Sequence, residues 1–192
     1  MAIPFERLGW LFAHWGRRAY PEWAKTELTE WIRRLPSGSH VLDLGGGTGV
    51  LTNWAAMLRD DLKYTIVDIS PGMLAHADKA AEKLIANAED LPFADSSIDA
   101  IMMGEALHHF KNSKQALREI ARVLRFGGHF WIYDFDPARG MGRWIYWGEK
   151  FLGEPASFYR PGELEAHLQK LGLGAEYKCR KGIYVLKGSR LA

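Results

Sequence analysis

The segment from Val41 to Gly49 constrains the fold of this chain more than any other. It joins a short apolar run, Val41 to Leu44, to four glycines in five positions and then to a helix-like stretch. The first strand of a parallel α/β sheet presents its loop to a nucleotide-like ligand in this way. Glycine permits the sharp turn off the strand, and it adds no side chain that would hold a ligand away from the backbone N–H groups. The segment therefore predicts a ligand loop at the edge of a parallel sheet.

The spacing of these glycines narrows the choice of ligand. Proteins that bind nicotinamide, flavin or S-adenosylmethionine all place glycines after their first strand. The dinucleotide fingerprint G-x-G-x-x-G fails here, because Val50 stands three positions after Gly47. The pattern is instead Asp43-x-Gly45-x-Gly47-x-Gly49. This spacing disfavours a nicotinamide-dependent oxidoreductase, although it leaves that alternative open.

Length and composition predict one domain over residues 1–192. A chain of this length with 47% hydrophobic residues can bury one good core and is short for two. Its 25 basic and 23 acidic residues leave a net charge of +2, which gives no electrostatic case for nucleic acid as a partner. No run approaches the ~20 apolar residues of a membrane span, and no signal-peptide pattern is present. Together with a single cysteine, Cys179, this leads us to expect a cytoplasmic protein.

Strand-like and helix-like runs alternate from His40 onward, which predicts a doubly wound, mostly parallel sheet with helices on both faces. A terminal hairpin should add an antiparallel strand. The predicted helices cover 50–58, a stretch opened by Pro71, 113–124 and 161–171. The predicted strands after the first cover 63–68, 83–88, 98–103, 128–134, 175–179 and 183–187.

Two segments fall outside this alternation. Residues 1–35 are predicted to be helical, and four apolar residues there are spaced to share one face: Phe5, Leu8, Phe12 and Trp15. Residues 136–160 interleave four glycines with six aromatic residues. Both segments flank the strand ends where ligands bind in such sheets, so 136–160 is interpreted as a lid-like insertion over an apolar site. The alternative is that these aromatic residues are ordinary packing.

Asp68 ends the second predicted strand, 19 residues after Gly49. From that position a carboxylate can accept hydrogen bonds from both ribose hydroxyls of an adenosine ligand. The competing interpretation, an aspartate that caps the helix opened by Pro71, is weaker because Ser70 occupies the better cap position. Glycine loop and acid together predict an adenosine site.

Five segments, taken in order, resemble the successive motifs of class I S-adenosylmethionine-dependent methyltransferases: 41–49, 67–74, 88–93, 106–109 and 122–128. The resemblance runs from about His40 to Asp134 and is greatest to the type 11 group, which includes quinone-biosynthesis C-methyltransferases. It implies a seven-stranded Rossmann-like sheet, S-adenosylmethionine as cofactor, and in-line methyl transfer to a small or lipophilic acceptor. The alternative is a regulatory protein that binds the cofactor without transferring its methyl group. Neither the methylated atom nor the oligomeric state follows from the sequence.

The resemblance also assigns the cofactor-binding residues. They are Asp43, Gly45, Gly46, Gly47, Asp68, Ile69, Met73, Asn87, Ala88, Met103 and Gly104. Within this set, Gly45 and Gly47 would let the backbone approach the methionine part, and Asp68 would hold the ribose. The carbonyl of Met103 or Gly104 would receive the ammonium group.

The adenine ring would lie between the remaining members of that set. Ile69 and Met73 would cover one face, and Asn87 with the backbone of Ala88 would meet the edge. Many relatives have Asp in place of Asn87. The amide oxygen can still accept from the adenine amino group, but without charge assistance, so binding there should be weaker.

His108 and His109 are the candidate catalytic residues, because they lie just beyond the fourth predicted strand. One could act as a general base, since imidazole titrates near neutrality. Adjacent residues point in different directions in regular structure, so at most one should face the acceptor. The alternative is that the pair caps and packs the loop. Nearby, Glu105 is another candidate, and the alternative is that an acid at the start of a loop is only solvated.

No metal site is expected. No other histidine or cysteine falls at ligand spacing from the histidine pair, and methyl transfer from a sulfonium needs no metal. Near the N-terminus, 5–8 resembles family members in which a tyrosine follows and reaches the active site. Phe12 falls near that position and has no hydroxyl, so a role that requires a phenol there is in doubt.

Overall fold

The fold is that of a computed structural model, which describes residues 20–77, 81–153 and 157–192. Its centre is a seven-stranded sheet. The strands are β1 (His40–Leu44), β2 (Lys63–Asp68), β3 (Glu82–Ile85), β4 (Ile98–Gly104), β5 (Leu124–Phe135), β6 (Leu173–Arg180) and β7 (Ile183–Arg190). The helices are α1 (Glu22–Arg33), α2 (Val50–Leu58), α3 (Pro71–Leu74), α4 (Ser113–Val123), α5 (Gly140–Leu152) and α6 (Pro161–Lys170), with a 3₁₀ turn at Leu107–His109.

The strand order in the sheet is β3-β2-β1-β4-β5-β7-β6. Strands β1 to β5 pair in parallel, whereas β7 is antiparallel to both β5 and β6. The strand order reverses between β1 and β4: β2 and β3 lie on one side of β1, and β4 and β5 lie on the other. In open sheets of this kind, ligands bind outside the carboxyl ends of the strands at such a reversal. This confirms the predicted doubly wound sheet with an antiparallel terminal strand.

Helices cover both faces of the sheet. On one face, α1 and α2 pack with alternate sheet residues such as Met102 and Trp131. On the other face, α4 and α6 pack on the intervening residues, among them Met103 and Ile132. Successive side chains of a strand point to opposite faces, so each central strand contributes to both cores. The carboxyl edge of the sheet is therefore held rigidly from two sides.

Several element bounds match the sequence predictions, and others extend them. The predicted bounds of α2 and β2 are those observed, whereas β5 begins at Leu124 rather than at 128. The hairpin strands β6 and β7 are also longer than predicted, because their pairing continues to Leu173 and Arg190. Their turn consists of Lys181 and Gly182, both with positive φ, which is the two-residue turn that suits the twist of a hairpin.

The two segments outside the alternation differ in how far they are described. The predicted apolar face at 5–15 lies outside the described residues, and the later part of 1–35 contains α1. Most of 136–160 forms α5, whose outer face exposes Trp144, Trp147 and Phe151. Ile145 and Phe158 pack inward against the core. Among the described residues, no helix is both long and apolar enough to cross a membrane.

Candidate functional site

The glycine loop lies between β1 and α2, at the carboxyl edge of the sheet. Gly45, Gly47 and Gly49 have φ values of +68°, +52° and +71°. A Cβ on Gly45 would lie 2.6 Å from the Ala106 Cβ, and one on Gly49 would lie 2.7 Å from Cδ1 of Ile66. The packing of the protein itself therefore requires glycine at these positions, in addition to any need of a ligand.

Hydrogen bonds tie this loop to β2. The N–H groups of Gly45 and Gly46 donate to the Val67 carbonyl at 2.7 and 3.3 Å. The Gly47 N–H donates to Oδ2 of Asp68 at 2.9 Å. The N–H groups that we expected to face the ligand at these glycines are thus used within the chain. The result is a loop fixed in place beside the end of β2.

Asp68 is held in one orientation at the end of β2. Its Oδ2 accepts from Gly47, and its Oδ1 accepts from the Ser70 N–H at 2.8 Å. The Ser70 hydroxyl accepts from the Met73 N–H at 3.1 Å, so Ser70 is the cap of α3, as predicted. A carboxylate oxygen can accept more than one hydrogen bond, so these two bonds do not prevent Asp68 from accepting from a diol. The crevice thus presents a fixed carboxylate next to the glycine loop.

Asp43 lies behind the loop and is 1% exposed. Its Oδ2 accepts from the N–H and the hydroxyl of Thr52 at 3.2 and 2.7 Å. Its buried Oδ1 has no hydrogen-bond partner among the described residues. Burial raises the pKa of Asp43 to about 6, against the opposing effect of the Thr52 hydrogen bonds. A Cβ on Gly46 would lie 2.6 Å from the Asp43 carboxyl carbon, so the acid supports the loop from below.

The residues predicted to surround adenine lie at the ends of β2 and β3. Ile69 is 70% exposed, and Met73 is half-buried with its Cε close to Gly47. Asn87 is exposed, but its side-chain oxygen accepts from the Glu89 N–H at 3.0 Å, which forms a local turn. The oxygen that we expected to meet adenine therefore already has one donor.

The hydroxyl of Tyr20 lies beside Gly104 at the end of β4, and the sequence did not reveal this. A Cβ on Gly104 would collide with the Tyr20 hydroxyl and would lie 2.7 Å from Cδ1 of Leu51. Tyr20 is buried, and its ring packs on that of Tyr133 with centroids 4.7 Å apart. Phe12, at the position where relatives have a phenol, lies outside the described residues. Nothing in the sequence around Tyr20 marks it, because its position depends on tertiary contacts.

Glu105, the residue after β4, is half-buried, which disfavours the alternative that it is merely solvated. It has a φ of +55°, which is uncommon for a residue with a side chain, and such strain is concentrated at functional sites. Its buried Oε1 has no hydrogen-bond partner among the described residues. Burial raises the pKa of Glu105 to about 7, even though His108 acts in the opposite direction.

His108 is 1% exposed and is held by an acid on β5. Its Nδ1 lies 2.6 Å from Oδ1 of Asp134. An ionised carboxylate can only accept, so Nδ1 carries the proton. Its ring stacks on Phe158 with centroids 4.5 Å apart. Burial disfavours the charged ring, but Asp134 and Glu149 outweigh this and raise the pKa of His108 to about 10. A role of His108 as a general base that titrates near neutrality stays a prediction, which this raised pKa disfavours.

Both adjacent histidines face the same carboxylate. Their Nε2 atoms lie 3.3 Å (His108) and 4.0 Å (His109) from Oε1 of Glu149 on α5. The two rings can converge because they belong to a 3₁₀ turn rather than a strand, and their centroids are 4.1 Å apart. Glu149 could not be predicted from sequence spacing, because only the tertiary fold brings α5 next to His108 and His109.

A groove of about 390 Å³ lies elsewhere, at the amino-terminal half of β5. Its lining includes Trp31, Arg34, His129 and Lys187. None of the residues predicted to bind the cofactor lines it. The carboxyl edge of the sheet, where Asp68 ends β2 and Gly104 ends β4 on either side of β1, is the candidate site.

Comparison with known proteins agrees with this geometry. A family model described as "Methyltransferase domain", of type 11, matches residues 42–132. The chain is 37% identical over 118 residues to the ubiquinone/menaquinone biosynthesis C-methyltransferase UbiE of Rubrivivax gelatinosus, covering 55% of this chain and 45% of the relative. It is 37% identical over 124 residues to the demethylmenaquinone methyltransferase of Symbiobacterium thermophilum, covering 57% and 49%. The chain thus spans about half the length of the curated relatives it matches.

Solved structures share the whole architecture. A S-adenosylmethionine-dependent methyltransferase of Thermotoga maritima, described as a possible histamine N-methyltransferase, superposes with a TM-score of 0.76 at 25% identity, covering 97% of this chain and 98% of that one. A phosphoethanolamine N-methyltransferase of Haemonchus contortus in complex with S-adenosyl-L-methionine shares the fold, with a TM-score of 0.73 at 15% identity over 87% of this chain and 52% of that one. The family match over residues 42–132, the strand order and the glycine loop linked to Asp68 agree in showing the fold of class I S-adenosylmethionine-dependent methyltransferases.

Proposed function

We propose that this chain transfers a methyl group from S-adenosylmethionine to a small, apolar acceptor. The observation that carries the proposal is the bond from Gly47 to Asp68, which fixes a ribose-binding carboxylate beside the glycine loop at the point where the strand order reverses. The names of the relatives support a quinol-type acceptor, since two of them act in ubiquinone or menaquinone biosynthesis.

The cofactor would lie across the carboxyl ends of β1, β2 and β4. Asp68, which Gly47 and Ser70 hold in place, would accept from the two ribose hydroxyls. Ile69 and Met73 would cover adenine, and their exposure beside the loop supports this assignment. Asn87 and Ala88 would meet the adenine edge, and Gly45 and Gly46 would lie against the methionine part.

At the methionine end, the carbonyl of Met103 or Gly104 would receive the ammonium group. Tyr20 lies directly beside Gly104, so its hydroxyl would also contact this end of the cofactor. The Oδ1 of Asp43, which has no partner among the residues that the structure describes, adds negative charge beneath the loop. An ammonium group above the loop would be stabilised by all three acceptors.

The acceptor would bind on the other side of Glu105. Aromatic rings border that region, including Tyr133, Phe135 and Phe158. The sulfonium is already activated, so the main task of the protein is to align acceptor atom, methyl carbon and sulfur and to exclude water. Glu105 would take up the proton that the acceptor loses, because its Oε1 is buried without a partner among the described residues and burial raises the pKa of its carboxyl to about 7.

His108 would not act as the base, because its two ring nitrogens face Asp134 and Glu149. We propose that the partner is a small molecule and not nucleic acid, which the near-balanced charge supports. A cytoplasmic location is also proposed, because a single cysteine needs no oxidising compartment. Cell fractionation tests the location.

Formation of S-adenosylhomocysteine tests the proposed function. Reduced naphthoquinones and benzoquinones should give product, and simple amines should not. Glu105→Gln should lower kcat by about 100-fold or more, as loss of a general base does, while the affinity for S-adenosylmethionine is kept. Glu30→Gln, an exposed change on α1, is the matched control. A protein that binds the cofactor but methylates no acceptor would instead be a regulatory cofactor-binding protein.

A further inference from the structure

We propose that His108, His109 and Glu149 form a zinc-binding site. Each residue offers one ligand atom, and these atoms all lie within 4.8 Å of one another. The expectation that no metal ligands come together rested on sequence spacing, which could not see the contact between the 3₁₀ turn and α5. Two imidazoles and one carboxylate are a common zinc ligand set that leaves a fourth position open.

The distances fit such a site with small movements. Zinc ligands at about 2.1 Å in a tetrahedron lie about 3.4 Å from one another. The Nε2 atom of His108 lies 3.3 Å from Oε1 of Glu149, and that of His109 lies 4.0 Å from the same oxygen. Rotation of the His109 and Glu149 side chains, which are 27% and 13% exposed, would bring the third ligand into place.

Asp134 already orients the first ligand. It accepts the Nδ1 proton of His108 at 2.6 Å, which leaves Nε2 as the free ligand atom facing Glu149. Asp134 is itself fixed, because the same Oδ1 accepts from the Phe135 N–H at 2.8 Å. A carboxylate behind a histidine in this way fixes the ring and makes it a better ligand, and it accompanies most metal-bound histidines.

The surroundings also require positive charge. The carboxylates of Asp134 and Glu149 both face one buried imidazole, with side chains 2% and 13% exposed. The second oxygen of Glu149 is buried without a hydrogen-bond partner among the described residues. Buried carboxylates are stabilised by pairing or by a metal. A divalent cation would balance both acids, whereas one imidazolium balances only one.

The zinc would occupy the acceptor side of the site, since the histidine turn follows Glu105 by two residues. Its open position would take an oxygen or sulfur atom of a ligand. That an acceptor binds there rests on the proposed function, whereas zinc binding itself does not. The test therefore measures the metal directly and involves no methyl transfer.

The experiment titrates metal-free, tag-free protein with Zn²⁺ in competition with a chromophoric chelator, and with Co²⁺ by visible absorption. We expect one equivalent of Zn²⁺, a tetrahedral Co²⁺ spectrum, and a higher melting temperature with zinc. His109→Ala and Glu149→Gln should abolish the Co²⁺ spectrum and the thermal shift. Asp134→Asn, which removes the carboxylate behind His108, should weaken zinc binding about 10- to 100-fold.

His76→Ala is the matched control, because His76 is exposed and distant in sequence from the cluster. This variant should bind Zn²⁺ as tightly as wild type does. Circular dichroism and S-adenosylmethionine titration establish that each variant is folded. If Glu149→Gln is misfolded, His109→Ala alone decides the result. Weak binding of equal strength in wild type and His109→Ala would overturn the proposal and leave the cluster as an ion pair.

Discussion

Replacing Asp43 by Asn should remove a specific pH dependence of stability. Asp43 is 1% exposed beneath the glycine loop, and burial raises its pKa from 3.8 to about 6. Between these two values the folded protein keeps a proton that the unfolded chain has released. The folded state then binds more protons than the unfolded state, so the free energy of unfolding falls as pH rises through this window.

The size of the effect follows from the shift. A change of about 2 units corresponds to about 3 kcal/mol at 1.36 kcal/mol per unit. This contribution is fully present below pH 4, decreases between pH 4 and 6, and is absent above about pH 6. The Asn variant can keep the acceptor for the Thr52 hydroxyl, so its structure should be retained while the titration is lost.

Urea unfolding of both proteins at intervals from pH 4 to 7.5 measures this contribution. The difference between wild type and Asp43→Asn should change by about 3 kcal/mol across the series, because other titrating groups cancel. Asp60→Asn, an exposed acid after α2, should show no such change relative to wild type. Parallel curves for wild type and Asp43→Asn would refute the reasoning.

Three further predictions distinguish residues that contribute to packing from residues that contribute to function. Gly45→Ala should destabilise the protein by about 2–4 kcal/mol in urea unfolding, because its Cβ would clash at a positive φ, whereas Gly38→Ala, in open space, should cost only about 1–2 kcal/mol. Phe151→Ser, on the outer face of α5, should change stability by less than about 0.5 kcal/mol, while Phe158→Ala should cost about 1.5–3 kcal/mol; similar losses would contradict the inward packing of Phe158. Tyr20→Phe should keep its ring packing and stability but weaken S-adenosylmethionine binding about tenfold in calorimetry, the value of one hydrogen bond, and unchanged affinity would remove the hydroxyl from the site.

The sequence predicted those features that depend on local pattern. The bounds of α2 and β2 and the cap at Ser70 are as predicted, because apolar periodicity and cap chemistry act over a few residues. The proximity of the glycine loop and Asp68 could also be predicted from the sequence. A strand pair places the end of β1 beside the end of β2, so two motifs 19 residues apart meet.

The residues on the acceptor side of the site were harder to predict from the sequence. Glu149 and Asp134 meet His108 from α5 and β5, and no sequence spacing encodes that contact. The same tertiary packing buries Glu105, which shifts its pKa, and brings Tyr20 to Gly104. The predicted lid remains a proposal. Its aromatic residues divide between a solvent-facing side of α5, with Trp147, and inward positions such as Phe158.

Calorimetric titration with S-adenosylmethionine tests the central claim most directly. Wild type should bind one equivalent, and a nicotinamide dinucleotide should not compete. Asp68→Asn should weaken binding about 10- to 100-fold, because a charge-assisted hydrogen bond is worth about 1.5–3 kcal/mol. Asp60→Asn should bind as wild type does. Equal affinity in wild type and Asp68→Asn, or tighter binding of the nicotinamide dinucleotide, would contradict the assignment of this loop and carboxylate to S-adenosylmethionine.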